Sequence, residues 1–274
     1  MPSLTRLGSF LRGSRAGCAP TTALSGRARG ICTCLVGLAL ASTPLTASAV
    51  VVPVIIDDFS SPAVPATYII GLINPDPFLL KQPGGIGGER DLQVDVLGVP
   101  SNISAVGTVG GGQYVFGTTD ESPSLATLQY DGVDFLDTPG ALNNAFGLNV
   151  DVTGGGGNNG VRIEFTDVDA GAANTLSVRI TATSAGASAT YFGAIPEIAG
   201  PSNFDVLFSS FTTVGPFNPT AVTSMQFTFN ELGATDVDFR LDRILATQVP
   251  EPSTVALLAC GSLVALALVR RRKA

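Results

Sequence analysis

The sequence contains no histidine and no tryptophan among its 274 residues. The lack of histidine removes the usual acid or base near neutral pH and the commonest zinc ligand, and it excludes a Ser-His-Asp triad. The lack of tryptophan removes one of the two aromatic residues that sugar-binding proteins most often use as stacking platforms. Only four tyrosines remain for that role.

Cysteine is absent from the whole middle of the chain. Cys18, Cys32 and Cys34 lie in the first 49 residues, and Cys260 lies near the C-terminus. The middle therefore has no disulfide and no thiolate chemistry. The Cys32-Thr33-Cys34 spacing lies in an apolar segment, which favours a leader over a metal or redox site.

Basic residues are scarce between residues 50 and 249. That stretch has six lysines and arginines against 21 of the 22 acids, which gives it a formal charge of −15. A surface of this sign repels phosphate backbones, so nucleic acid is excluded as a partner. Divalent cations and neutral polymers are better suited to it.

The first 49 residues have the parts of a secretory signal peptide. A basic region precedes a mostly apolar run over residues 31–41, which is short for a membrane span. Ala47-Ser48-Ala49 then supplies the small residues that signal peptidase accepts. We predict a signal peptide over residues 1–49 and a mature start at Val50. The alternative is a membrane anchor or a buried helix.

The C-terminal end has an apolar span followed by a basic cluster. Residues 253–269 carry no charge, and residues 270–273 read Arg-Arg-Arg-Lys. A helix over this span would measure about 26 Å, slightly less than a hydrocarbon core of about 30 Å. Because basic flanks stay in the cytoplasm, the preceding domain is expected outside it. Both ends of the chain thus predict the same topology.

The tail also carries a short extended motif directly before the apolar span. Pro250, Glu251 and Pro252 precede Ser253, and the two prolines keep this segment out of the helix. With the span and the basic cluster, residues 249–274 resemble the PEP-CTERM sorting signal. The resemblance implies a bacterium with an outer membrane and a polysaccharide system, and processing by an exosortase near this recognition tag. A plain single-pass anchor is the alternative.

The middle of the chain alternates β-patterned runs with turn clusters. Leu92, Val94 and Val96 alternate with polar residues, which is the period of a half-buried strand. No helical run of 10–15 residues separates the strands, which argues against a parallel α/β sheet. Residues 50–248 are therefore predicted to form one all-β ectodomain, a β-sandwich of jelly-roll type. The predicted strands are Val51–Phe59, Arg90–Leu97, Gln113–Thr118, Leu125–Tyr130, Gly147–Val152, Val161–Thr166, Thr175–Thr183, Thr190–Ile198, Asp205–Phe211, Ser224–Asn230 and Asp236–Ala246.

Four short motifs accompany this pattern. Residues 57–59 lie on the first predicted strand and residues 238–244 on the last, with residues 128–132 and 147–151 between them. Together they resemble carbohydrate-binding jelly-roll modules over roughly residues 54–247. The resemblance implies a structural calcium between the first and last strands, held by Asp57, Asp58 and Asp242. Carboxylates are suitable calcium ligands, but these acids are alternatively solvated or paired with Arg240 and Arg243.

Tyr114 and Tyr130 are the candidate residues for stacking on sugars, with ordinary sandwich packing as the alternative. Asp167-Val168-Asp169 and Asp236-Val237-Asp238 each put two carboxylates on one strand face, which favours exposed surface positions. The sequence predicts a non-catalytic protein of the cell surface or extracellular matrix that associates with exopolysaccharide. A structural or adhesive protein is the second hypothesis, and we expect it to displace the first if Tyr114 and Tyr130 are fully buried. An extracellular glycoside hydrolase is the third, and it requires a cleft with two facing carboxylates.

Overall fold

The computed structural model describes residues 51–61, 66–70, 78–97, 105–118, 123–133, 142 and 147–250. The predicted signal peptide, transmembrane helix and basic tail lie outside these residues. Among the residues described, no helix has the length and apolar character needed to cross a membrane.

The described residues form strands joined by turns and two single-turn 3-10 helices. In chain order, the strands are β1 (Val54–Asp57), β2 (Ala66–Ile70), β3 (Phe78–Pro83), β4 (Glu89–Val96), β5 (Ala105–Gly110), β6 (Gln113–Thr118), β7 (Ser124–Tyr130), β8 (Gly160–Asp169), β9 (Thr175–Ser184), β10 (Ala187–Pro196), β11 (Ser202–Leu207), β12 (Thr212–Val214), β13 (Ser224–Phe229) and β14 (Asp238–Thr247).

The strands form two sheets of seven strands each. The first sheet has the order β11-β8-β14-β6-β5-β2, with β1 also paired to β14. The second sheet has the order β12-β10-β9-β13-β7-β4-β3. Every described strand pair is antiparallel. The predicted all-β sandwich is therefore confirmed.

Strand β14 pairs with two different strands along one of its edges. Residues 238–241 pair with β6, whereas residues 244–246 pair with β1. A register shift between Leu241 and Arg243 separates the two segments. The first and last of the described strands are therefore direct neighbours.

Alternate side chains of both sheets meet in an aromatic core. Phe239 of β14 lies opposite Phe116 of β6, and Leu241 lies opposite Tyr114. The Phe239 ring centroid is 5.0 Å from that of Phe229 on the second sheet. Because such rings bury a large apolar area at once, they dominate the packing between the two layers.

The strand predictions were accurate where hydrophobic alternation was strong and wrong elsewhere. The predicted strand Arg90–Leu97 is β4, displaced by one residue. The predicted strand Gly147–Val152 is wrong, because only Val150 makes a bridge, to Val222, and a turn begins at Val152. Strands β2, β3, β5 and β12 were not predicted.

Candidate functional site

A charged cluster is enclosed between the two sheets at the end of β1. Arg90 and Asp57 are completely buried, with Nε–Oδ2 and Nη2–Oδ1 distances of 2.5 Å each. The Tyr130 hydroxyl donates to Asp57 Oδ2 at 2.7 Å. We call Asp57, Arg90 and Tyr130 the buried triad. Both carboxylate oxygens of Asp57 are occupied within it.

The Arg90 guanidinium has further partners inside the sandwich. Its Nη1 donates to the Gln82 side chain at 3.2 Å and to the Ser61 carbonyl at 3.1 Å. Burial has the largest single effect on the pKa of Arg90 and acts to lower it. The hydrogen bond to Asp57 and the electrostatic interactions with Tyr130 and Asp57 together outweigh burial and raise the pKa above its usual value. Burial, followed by the charge of Asp57, raises the pKa of Tyr130 well above its usual value. The triad is therefore a fixed ion pair with a neutral hydroxyl donor.

The three predicted calcium ligands point in different directions. Asp57 faces the interior, whereas Asp58 is exposed and accepts hydrogen bonds from the Ser60 amide and hydroxyl at 3.0 and 2.6 Å. Asp242 is exposed, with its carboxylate 3.8 Å from the Arg243 guanidinium. Among the residues described, no three His, Cys, Asp or Glu side chains are placed to hold a metal. The geometry gives the predicted calcium site no support, and it stays a prediction.

Tyr114 and Tyr130 do not lie on the surface. Both have 0% exposure and pack in the core, Tyr114 against Phe59 and Phe239, and Tyr130 against Phe227. Neither ring is accessible to a ligand in this structure. The stacking role predicted for them therefore does not fit their positions, whereas the alternative of sandwich packing does.

The outer face of the second sheet is rich in hydroxyl and amide side chains. The register of the strands aligns these side chains in rows across the sheet. The side chains of this face on β7 are buried, whereas those on β9, β10 and β13 are partly exposed. Asp91 and Gln93 of β4 extend this face and are also buried. We call the following partly exposed residues the polar face: Arg179, Thr181, Thr190, Phe192, Gln226 and Thr228.

An aromatic ring and an ion pair lie together on the polar face. Phe192 is 48% exposed, and the Arg179 guanidinium carbon lies 5.5 Å from the centre of its ring. Arg179 Nε also donates to Glu231 at 2.7 Å, which raises the pKa of the arginine. Arg179 thus contacts both the Phe192 ring and the Glu231 carboxylate. This arrangement fixes the orientation of both side chains.

The outer face of the first sheet has a different character, because it carries paired charges. Arg162 makes two hydrogen bonds to Asp205, at 2.7 and 2.9 Å. Arg243 lies 2.8 Å from Glu164, and Arg240 lies 3.6 Å from Asp167. A depression of about 480 Å³ on this face includes Glu164 and Asp242. Arg243 contacts both of these carboxylates, so they are engaged in ion pairing.

Both predicted Asp-Val-Asp pairs lie at one end of this charged face. Asp238 pairs in register with Asp169 across β14 and β8. Asp169, Asp236 and Asp238 are exposed, as the sequence predicted, and Asp167 is partly exposed. Burial is the largest cause that raises the pKa of Asp238, and the charges of the nearby acids raise it further. The end of the sheet is a repulsive cluster of carboxylates.

The sequence did not predict the polar face or the buried arginine. Arg90 is two and four positions before Leu92 and Val94, so it lies on the same, inward-facing side of the strand. This spacing was a signal for a buried charge. The polar face had no comparable signal, because it is assembled from separate strands. Of the predicted sorting tag, Pro250 is exposed, whereas Glu251 and Pro252 lie outside the described residues.

Comparisons with known proteins place one segment in a family. Residues 248–273 match the model described as the PEP-CTERM protein-sorting motif, which confirms the sorting signal predicted at the tail. No curated protein matches the chain.

The structure is similar to two solved carbohydrate-binding modules. One is the family 11 module from Clostridium thermocellum in complex with a beta-1,3-1,4-mixed-linked tetrasaccharide, at 11% identity and a TM-score of 0.35, covering 74% of this chain and 100% of that chain. The other is the family 11 module of the cellulosomal cellulase Lic26A-Cel5E of the same organism, at 13% identity and a TM-score of 0.34, covering 74% of this chain and 99% of that chain.

Proposed function

We propose that this is an exported, non-catalytic protein of the cell surface or extracellular matrix that contacts extracellular polysaccharide through the polar face. The observation that carries the proposal is the polar face itself. It brings hydroxyl and amide groups from three strands next to the half-exposed ring of Phe192. Signal peptidase and an exosortase are the proposed processing partners, and the C-terminal helix is the proposed anchor before processing.

The chemistry of the polar face suits a neutral sugar polymer. Hydroxyl and amide side chains donate and accept hydrogen bonds, as sugar hydroxyls do. The flat face of Phe192 offers an apolar surface to the C–H groups of a sugar ring. Because Arg179 is already paired with Glu231, this surface adds little net charge. A long uncharged chain can therefore lie across the strands without burying an unpaired ion.

The ion pairs that several described carboxylates make support a non-catalytic role. Glu164, Asp205 and Glu231 each pair with an arginine, and Asp57 is enclosed by the buried triad. A glycoside hydrolase needs one carboxylic acid and one carboxylate facing each other across the substrate. Carboxylate oxygens that are occupied by guanidinium groups are not free to face each other across a substrate.

A structural or adhesive role is the second candidate. It is favoured by the burial of Tyr114 and Tyr130, which removes the aromatic platform expected from the sequence. It is also favoured by the alternating charges on the outer face of the first sheet. In this case, neighbouring copies or cations would make contact through that charged face, and salt would weaken the contact.

The two candidates are separated by a binding experiment with the full-length protein in detergent and the exopolysaccharide of the producing organism. Binding is measured in calcium and in EDTA, and at low salt and at about 0.5 M salt, where the Debye length falls well below 10 Å. Phe192→Ala is compared with Ile55→Ala, which removes a side chain of similar exposure from the first sheet. The proposal expects binding that resists salt and weakens roughly 2- to 13-fold in Phe192→Ala only.

The other outcomes are equally informative. Equal binding by both variants would contradict the polar face as the contact surface. Loss of binding in EDTA would support the calcium prediction and direct mutagenesis to Asp58 and Asp242. A folded protein that fails to bind, but self-associates at low salt, would replace the proposal with the structural role.

A further inference from the structure

The side chain of Asn159 holds the backbone of Val249 at both of its polar groups. The Val249 amide donates to Asn159 Oδ1 at 2.6 Å, and Asn159 Nδ2 donates to the Val249 carbonyl at 3.0 Å. The Asn159 backbone amide also donates to the Thr247 carbonyl at 3.1 Å. A primary amide has a donor and an acceptor side by side, so it imitates the peptide group of a neighbouring strand. The contact continues the ladder beyond the end of β14.

The Val249 side chain is packed as well. It is 6% exposed. A Cβ atom added to Gly160 would lie only 2.8 Å from Val249 Cγ2 and 2.5 Å from the Val206 carbonyl oxygen. The chain therefore stays folded against the sandwich up to Val249, and the next residue, Pro250, is exposed.

The loop that supplies Asn159 also touches the other end of the ectodomain. In residues 151–159, a Cβ atom on Gly157 would meet Val51 at 3.1 Å. Asp151 orders this loop by accepting hydrogen bonds from the Thr153 amide at 2.8 Å and the Gly155 amide at 3.0 Å. The loop is thus a built element that contacts both ends of the folded ectodomain.

The sorting tag begins immediately after this contact. Pro250, Glu251 and Pro252 are the only residues between Val249 and the predicted membrane span, and three extended residues reach at most about 11 Å. Proteins that grip a peptide as an extended strand bind its backbone N–H and C=O groups. At Val249 these two groups are already bound to Asn159. A protease that needs residues before the tag must first separate them.

We propose that Asn159 is a clamp that keeps Val249 on the sandwich, and that opening of this clamp precedes cleavage in the sorting tail. This inference rests on the proposed processing by an exosortase. Two ordinary hydrogen bonds correspond to a roughly 5- to 150-fold change in an opening equilibrium. Loss of the clamp is therefore expected to raise the cleavage rate within that range, up to the point at which another step becomes limiting.

The test follows the full-length chain in an outer-membrane bacterium that has an exosortase, with pulse–chase measurement of tail removal. Asn159→Ala removes both hydrogen bonds, and Asn159→Asp retains the acceptor but loses the donor. Asn203→Ala, at an exposed position on β11, is the matched control. Faster tail removal is expected in both Asn159 variants, and the control is expected to behave as the unchanged protein does.

Hydrogen exchange of the same full-length proteins in detergent gives an independent measurement. Exchange at the Val249 amide is expected to increase in the Asn159 variants, while exchange in β9 stays unchanged. Faster exchange without faster cleavage would overturn the gating step. Unchanged exchange at Val249 would overturn the clamp itself. If the exported, unchanged protein keeps its tail, the processing proposal is contradicted and gating falls with it, while exchange still decides whether Asn159 holds Val249.

Discussion

Arg90 and Asp57 form an ion pair that joins the two sheets across the interior of the sandwich. The residues are 33 positions apart, and both side chains have 0% exposure. Asp57 ends β1, whereas Arg90 lies near the start of β4 in the other sheet. The pair therefore fixes the first strand of the ectodomain to the opposite layer. Removing both charges from water is costly, and further hydrogen bonds offset this cost. Tyr130 donates to Asp57, and Arg90 donates to Gln82 and Ser61.

Removal of one member of this pair is expected to be strongly destabilising. Asp57→Asn or Arg90→Met leaves the other charge buried without its partner, which costs about 3–5 kcal/mol. The double variant Asp57→Asn with Arg90→Met removes both charges and is expected to lose less than the sum of the single losses. Urea unfolding of the four proteins measures this coupling. Additive losses would show that the two charges do not depend on each other.

The two buried tyrosines are expected to respond differently to loss of the hydroxyl group. The Tyr130 hydroxyl donates to Asp57, so Tyr130→Phe is expected to cost about 1.5–3 kcal/mol, as for hydrogen bonds to charged groups. The Tyr114 hydroxyl has no hydrogen-bond partner among the described residues. Tyr114→Phe is therefore expected to be neutral or stabilising. The comparison uses chemical denaturation, and equal losses in both variants would contradict it.

Gly85 lies in the turn beside the buried triad and is expected to tolerate no side chain. Its φ is +73°, and an added Cβ would lie 2.6 Å from the Tyr130 ring. Gly155 has the same φ of +73° with nothing within 4 Å of an added Cβ, so it is a matched control. The left-handed backbone lowers the free energy of unfolding of both Ala variants, and in Gly85→Ala the steric clash lowers it by a further amount of about 1–3 kcal/mol. The difference in free energy of unfolding measures the steric part alone.

The fold class was predictable because the central strands have strong alternation. Leu92 and Val94 on β4 face the core, as their spacing indicated. Strand β5 lacked such a signal, because its sequence is Ala-Val-Gly-Thr-Val-Gly. A Cβ on Gly107 would lie 3.2 Å from Val94 Cγ2, so glycine avoids a tight contact between the layers there. Close packing between layers thus selected a residue with low strand propensity.

The candidate sites were less predictable, because they depend on partners far apart in the chain. Asp57 was predicted to be a calcium ligand, whereas in the structure its carboxylate pairs with Arg90 from the other sheet. Phe192 and Arg179 become neighbours only through the register of β9 and β10. Pairing between strands is set by the whole fold, so local patterns did not identify these contacts. The sorting tag was predictable because it is a continuous segment.

The acidic cluster at the end of the first sheet gives a prediction with a defined pH dependence. Asp238 is directly opposite Asp169, and its carboxylate lies over Gly117, where an added Cβ would be 2.6 Å from Oδ1. Burial and the neighbouring acids raise the pKa of Asp238 above 3.8 in the folded state. The folded protein therefore binds this proton more tightly than the unfolded chain does. Its stability falls as the pH rises from 3.8 through the raised pKa.

Asp238→Asn is expected to remove this loss of stability at higher pH. Asparagine keeps the oxygen that accepts the Thr118 amide hydrogen but carries no charge. Because the site is largely exposed, the gain at pH 7 is expected to be below about 1 kcal/mol and to disappear below pH 3.8. Asp205→Asn is the control, since it breaks an ion pair with Arg162 and is expected to lower stability at pH 7. Urea unfolding at pH 3 and pH 7 measures both effects. A variant Asp238→Asn that is less stable at pH 7 would show that the carboxylate stabilises the sheet end despite its acidic neighbours.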